Sequence, residues 1–384
     1  MDATRKNTSV FLDGDFSHKE HKERKAGGPT SVSATIDRSG WKRVMLGEVL
    51  TYEQPYPYIV HKAEYVSNGT PVLTPGKTFI LGYTTETDGI CRASSDAPRI
   101  LFDDFLTISR LVQFDFKVKS SAVKILLPVS TSHNLRFIFY AMSRLQFEVT
   151  DHQRHWINQF SKLEIQVPTR QEQDRIADAI DSIDTHISAL QSLIAKYEAI
   201  KKATVNLLLK PKAGWQEKPL GDLSFIKTGG KNTQDAVASG QYPFFVRSPN
   251  VERINTYSYD GEAVLVAGDG VGAGKVFHYI NGKHDCHQRV YRVCDFNSEV
   301  LGLYIYRSLS ELFPIYMERR NDKASVDSLR LPAFKEFLVH YPNIDEQKRI
   351  VGILDSIDGT INGLKSQLAK AQDIKQGMMS YFFG

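Results

Sequence analysis

Apolar residues recur at alternating steps of four and three in two stretches of this chain. One holds Ile176, Ile180, Ile183, Ile187, Leu190, Ile194 and Tyr197; the other holds Ile350, Leu354, Ile357, Ile361, Leu364, Leu368 and Ala371. Such narrow stripes follow a heptad and read as a coiled-coil seam more than as the broad face of a core helix. Each stretch opens on a helix-start signature. Thr169 is followed three residues on by Glu172, and Asn343 by Glu346, which is the capping-box spacing, each just after a proline. The pattern predicts long helices over 168–213 and 342–384. Roughly 40 residues at about 1.5 Å each make a rod of about 60 Å.

The two helical stretches are copies of one another. Pro168 and Pro342 lie 174 positions apart, and at that offset Glu172, Gln173, Arg175, Ile176, Asp181, Ile183, Asp184, Ile187, Leu190 and Lys201 all recur without a gap. The same offset aligns GWKRVMLGE, from Gly40, with GWQEKPLGD, from Gly214. The duplicated unit therefore runs from a Gly-Trp start to the end of a long helix. This divides the chain into two globular modules, 40–167 and 214–341, each followed by a helix. Residues 1–39 have no counterpart in the second copy; they are poorly apolar, carry the mixed charge run HKEHKERK, and read as a flexible extension.

Connectivity gives the direction of the helices. The first runs into the second module and the second leaves it, so a module with its ends close together makes them antiparallel. The expected fold class is α+β: two mixed α/β modules joined by two long antiparallel coiled-coil helices, with pseudo-twofold symmetry and the modules inverted.

Composition adds little to this picture. The 384 residues are 41% hydrophobic and 24% charged, ordinary for globular domains, and the net charge of +4 neither demands nor excludes a polyanionic partner. No apolar run is long enough for a bilayer span or a signal peptide, and three cysteines do not make a disulfide framework. A cytoplasmic location is expected.

Candidate chemistry is sparse. The glycine-rich segment from Gly268 to Gly274 fails as a phosphate loop, because Asp269 stands where the first glycine should be and Val276 where Ser or Thr should bind the metal. The residues after Gly274 have no helical period and read as strand and turn, so a glycine loop between two strands is expected. His284-Asp285-Cys286-His287 matches no zinc spacing, and no metal site is expected. No nucleophile turn is present, and no catalytic residue is assigned. For nucleic acid the signals are scattered through the second module. Lys231, Asn232, Arg247, Ser248, Asn250, Arg253, Arg319, Arg320, Lys323 and Ser325 mix cations that grip phosphate with types that read base edges. The residues alone leave open a stand-alone enzyme with an unrecognised site or a coiled-coil adaptor with no DNA role.

The repeated Gly-Trp start, Pro-x-x-x-Glu-Gln-x-Arg-Ile, Asp-x-Ile-Asp, heptad and Lys-x-x-x-Ile-Lys together resemble the specificity subunit of type I restriction–modification enzymes. The resemblance covers the chain from Gly40 onward. It implies that the modules are target recognition domains, each reading one half of a bipartite, asymmetric double-stranded DNA target. It also implies that the helices set the separation of the halves and dock methyltransferase (modification) subunits, two of them, with restriction subunits joining. The chain itself would be non-catalytic and need no cofactor; S-adenosylmethionine, ATP and Mg2+ would serve the partners. In the first module Lys62, Asn68, Arg92, Arg99 and Arg154 are the DNA-binding candidates. Glu172, Gln173, Arg175, Glu346, Gln347 and Arg349 are the expected exposed positions for capping and partner docking.

Overall fold

Uninterrupted apolar runs become the central strands. In the computed structural model, which describes residues 37–61, 64–76, 78–149, 154–320 and 329–384, Ile100, Leu101, Phe102 and all of Ala263 to Val266 are fully buried. Strands covered on both faces need no polar alternation. The first module comprises β1 (Lys42–Met45), α1 (Leu46–Val49), β2 (Leu50–Glu53), β3 (Thr70–Leu73), β4 (Ile80–Thr84) and β5 (Arg99–Asp103). It continues through β6 (Ser109–Val112), β7 (Lys117–Val118), β8 (Val123–Pro128), α2 (Leu135–Met142) and β9 (Glu164–Val167). Next comes α3 (Arg170–Leu208). The second module holds β10 (Gln216–Pro219), α4 (Leu220–Leu223), β11 (Phe225–Thr228), β12 (Tyr242–Phe245), β13 (Val251–Ile254) and β14 (Tyr259–Ala267). It closes with β15 (Phe277–Cys286), β16 (Val290–Cys294), α5 (Gly302–Arg320), α6 (Leu331–Lys335) and β17 (Leu338–Tyr341), and α7 (Ile344–Phe383) ends the chain.

Both modules share one plan. Each is closed by an antiparallel pair of its first and last strands, Lys42 opposite Val167 and Gln216 opposite Tyr341, which are positions 174 apart. Inside, the first module has a sheet ordered β2-β8-β5-β6 and a smaller one ordered β4-β3-β7. In the second module the ten-residue β15 pairs antiparallel with β14 at one end and parallel with β12 at the other, fusing the sheets into β11-β16-β14-β15-β12-β13.

Each helix start shows the N-cap half of the expected capping box, while the Glu346 carboxylate pairs with Arg349 (2.6 Å) rather than closing it. Thr169 Oγ1 accepts from the Glu172 N–H at 3.4 Å and Asn343 Oδ1 from the Glu346 N–H at 3.0 Å. The helices are antiparallel, because the Lys375–Asp184 (2.5 Å), Lys365–Glu198 (2.8 Å) and Lys201–Asp358 (2.9 Å) ion pairs advance along one helix as they retreat along the other. Two of these pairs are pseudo-twofold mates, since Lys201 and Lys375, like Asp184 and Asp358, are 174 apart. Leu190, Ile194, Leu364 and Ala371 form the buried seam. The predicted stripe is longer than that seam. Ile176 and Ile180 instead enter the first module's core, and Ile350 and Leu354 the second's. At its far end each helix meets the opposite module: Val205, Leu208 and Leu209 join the second core, while Met379, Phe382 and Phe383 pack on the first.

The extension at 1–39 lies, up to residue 36, outside the described residues. Two docking candidates require correction. Gln173 and Gln347 are not exposed: they are 1% and 0% accessible. Each is drawn inward by hydrogen bonds to carbonyl and N–H groups around the start of its helix, among them the buried Pro168 and Pro342 carbonyls. Glu172 and Glu346 are half-buried, and Arg175 and Arg349 are exposed.

Candidate nucleic-acid interface

Four chain segments meet at one end of the second module's sheet. The turn after β11 carries Lys231 and Asn232, the exit of β12 carries Arg247 and Ser248, the glycine loop spans 268–276 between β14 and β15, and the β15–β16 turn holds His287, Gln288 and Arg289. Backbone bonds stitch them together. Gln288 N–H donates to Lys231 O (2.8 Å), His287 N–H to Phe245 O (2.9 Å) and Gly268 N–H to Arg289 O (2.8 Å). The glycines permit this approach: a Cβ on Gly229 would stand 1.8 Å from the Cys286 carbonyl, and one on Gly272 would stand 2.6 Å from that of Arg247. Val271, at the tip of the loop, is 95% exposed.

The polar side chains of this edge are organised around one carboxylate. Asp269 Oδ2 lies 3.2 Å from Arg289 Nη1 and 3.6 Å from Arg247 Nη1. Its Oδ1 accepts from the Gly270 N–H at 2.9 Å. Gln288 Nε2 donates to Asn232 Oδ1 at 2.5 Å. Burial, then the neighbouring Arg247 and Arg289, hold His287 below the usual histidine range despite Asp269 and Asp235 nearby. It is thus neutral at pH 7, and its Nδ1 accepts from the Arg289 N–H at 3.0 Å. Beside these residues lies a shallow concavity of about 250 Å³ walled by Thr228, Asp269, Gln288, Arg289, Tyr291 and Leu329.

Of the sequence candidates, Lys231, Asn232, Arg247 and Ser248 converge here, and Ser248 Oγ donates to the carbonyl of the exposed Asn250 within the same turn (3.1 Å). Arg253 is turned back, its guanidinium bonded to the Gly240 and Gln241 carbonyls at 3.0 and 2.9 Å. Arg319 is exposed near the end of α5. Lys62, Lys323, Ser325 and the side chain of Arg320 lie outside the described residues. Asp269, Gln288 and Arg289 were missed in the sequence. No spacing along the chain joins the loop after β14 to the turn after β15, so the sequence carried no signal that would group them.

His284, Asp285 and Cys286 do other work. Asp285 accepts hydroxyl bonds from Thr256 (3.0 Å) and Ser258 (2.8 Å), His284 Nδ1 lies 2.8 Å from the Gly282 carbonyl, and burial pushes the Cys286 thiol up to about 12.

The corresponding edge of the first module is built differently. Between β5 and β6, where the second module has its glycine loop, runs a tight turn with Thr107 at φ 55° and Leu106 55% exposed. Asp104 is fully buried there, 3.3 Å from Lys124 and 3.7 Å from Arg154, and accepts the Trp156 N–H at 3.0 Å. Arg154 lies over the Phe105 ring, 5.7 Å from its centroid, with its head at the surface. Arg99 heads β5, at the far end of that strand from this turn, and is tied to the Ala97 and Pro98 carbonyls. Arg92 is paired with Asp115, and Asn68 is exposed.

A family model described as the type I restriction modification DNA specificity domain matches this chain twice, at residues 38–200 and 212–371. The specificity subunit of the type I restriction enzyme EcoR124I/EcoR124II of Escherichia coli is 31% identical over 374 residues, spanning 88% of this chain and 91% of that protein. The EcoDI specificity subunit, also of Escherichia coli, is 27% identical over 163 residues, 42% of this chain and 35% of that one. Among solved structures, the S subunit of a type I restriction–modification system from M. genitalium superposes with a TM-score of 0.68 at 16% identity, over 90% of this chain and 96% of that one. No described helix is long and apolar enough to cross a membrane.

Proposed function

The chain belongs to the type I restriction–modification DNA specificity family, and from that premise we propose that its two modules read the two halves of one bipartite, asymmetric target. The observation that carries this reading is the pseudo-twofold helix pair. Equivalent ion pairs 174 positions apart place equivalent modules, inverted, at opposite ends of a rod of about 39 residues. Inverted readers suit half-sites on one duplex, whose strands are themselves antiparallel. The different loops at the two reading edges make the half-sites different.

As a specificity subunit the chain does no chemistry of its own. Two modification subunits would dock near the helix starts, where Arg175 and Arg349 are exposed, and restriction subunits would complete the complex. S-adenosylmethionine would serve the former, and ATP with Mg2+ the latter. A complex that modifies the DNA of its own cell would work in the cytoplasm. The test is co-expression with the modification subunit and genome-wide mapping of methylated adenines. Exchange of residues 40–167, or of 214–341, for those of a relative is expected to change one half of the motif and leave the other; a motif untouched by both exchanges would contradict the reading.

A further inference from the structure

We propose that Arg289 reads a guanine in the half-site of the second module, and that Asp269 is the positioning residue that aims it. The inference rests on the reading of that module as a half-site reader.

Three observations lead to it. The backbone of Arg289 is held on several sides: its own N–H donates to His287 Nδ1 (3.0 Å), and at 2.8 Å each its carbonyl accepts from Gly268 N–H and the flanking Gln288 and Val290 N–H groups donate to Lys231 O and His287 O. Its guanidinium is held at the tip by Asp269, whose own rotamer is set by the bond from Gly270 N–H. Its side chain is nonetheless 56% exposed, so part of the donor fork remains open to a ligand at the mouth of the concavity.

The carboxylate decides between base and phosphate. A phosphate brought to Arg289 would be repelled by Asp269 a few ångströms away, and a cation meant to grip the backbone gains nothing from such a neighbour. A guanine edge offers two neutral acceptors, O6 and N7, that match the arginine fork. The same G·C pair offers the cytosine amino group, a donor that a carboxylate accepts. One Asp shared by Arg247 and Arg289 also leaves the edge with a net positive charge, which keeps the approach to DNA favourable. Fixing the fork beforehand removes rotamer entropy that a free arginine would lose on binding.

The experiment uses the full chain assembled with its modification partner. Methylation mapping first gives the motif, and duplexes varied at each position of the second half-site then give binding at several salt concentrations. Arg289→Ala is expected to lower affinity for the mapped site roughly five- to 150-fold and to make one G·C position tolerant of other pairs, with the first half unchanged. Arg289→Lys keeps the charge without the fork and should relax the same position, and Asp269→Asn should weaken discrimination there. Retained recognition of the first half serves as the folding control. A uniform loss over all duplexes with a shallower salt dependence would make Arg289 a phosphate contact and overturn the proposal, as would an unchanged motif or a second half-site with no G·C pair. If exchange of 214–341 changes neither half-site, the underlying reading fails instead, independently of Arg289.

Discussion

Gln173 and Gln347, 174 positions apart, make the same three hydrogen bonds in the two halves of the molecule. Gln173 Oε1 accepts the Asn134 N–H (2.8 Å) while its Nε2 donates to the Ser132 and Pro168 carbonyls (3.3 and 3.0 Å). Gln347 repeats this with the Leu301 N–H (2.9 Å) and the Glu299 and Pro342 carbonyls (2.8 and 2.9 Å). Each side chain ties the first turn of a rod helix to the loop before or at the start of its own module's last long helix. It thereby fastens reader to rod at the helix start.

Gln347→Leu keeps the bulk but removes three hydrogen bonds to backbone groups, of which the one to the Pro342 carbonyl is buried. The expected cost is on the order of 1–3 kcal/mol, most of it from that buried carbonyl. Gln173→Leu should behave alike. Because the two sites sit at opposite ends of the rod, the double variant should lose the sum of the single losses, measured by urea denaturation of the assembled protein. A double variant no worse than either single one would show that the latches are not independent.

A charge in the helix seam should be most damaging where the seam is buried. Leu190 is 5% exposed, whereas Ile357 is half-buried. Leu190→Glu is therefore expected to cost several kcal/mol, and Ile357→Glu distinctly less. Thermal unfolding monitored by circular dichroism ranks the two.

Acid should loosen the rod. Burial would lift the Asp358 carboxyl, but hydrogen bonds from Lys201 and Arg307 bring it below the usual aspartate range. A depressed folded-state pKa contributes stability that is complete well above the unfolded value near 4 and is lost as pH falls through the folded value. Stability should therefore decline below about pH 4, and Asp358→Asn should be less stable at pH 7 yet flatter across that acid range. Denaturant midpoints from pH 7 to pH 3 test the sign.

Removal of residues 378–384 should weaken the first module, more than two hundred positions away in sequence. Phe383 lies 5.3 Å from Phe137 between ring centroids, and the Arg38 side chain donates to the Tyr381 and Gly384 carbonyls at 3.0 and 2.8 Å. The loss of four core contacts, Met378, Met379, Phe382 and Phe383, is expected to cost several kcal/mol. Limited proteolysis should then cut within 40–167 before it cuts within 214–341.

Much of the architecture was legible in the residues themselves. A helix period and an identity at fixed offset are one-dimensional records, so the stripes at Ile176 and Ile350, the caps at Thr169 and Asn343 and the duplicated Gly-Trp start led to an antiparallel pair of copies. Burial of a polar side chain is not such a record. Gln173 and Gln347 look like exposed helix residues until the carbonyls that receive their amides are in place.

Residue identity, spacing and chain connectivity suffice for the repeat, the rod, its direction and the family, because each is written along one chain. Tertiary structure decided which part of each heptad stripe meets the partner helix and which meets a module. It also decided that Asp269, Arg247 and Arg289 form one cluster while Arg253 turns away. Those outcomes depend on which loops the fused sheet brings to the same edge, and that edge is set by strand order, to which residue spacing is blind.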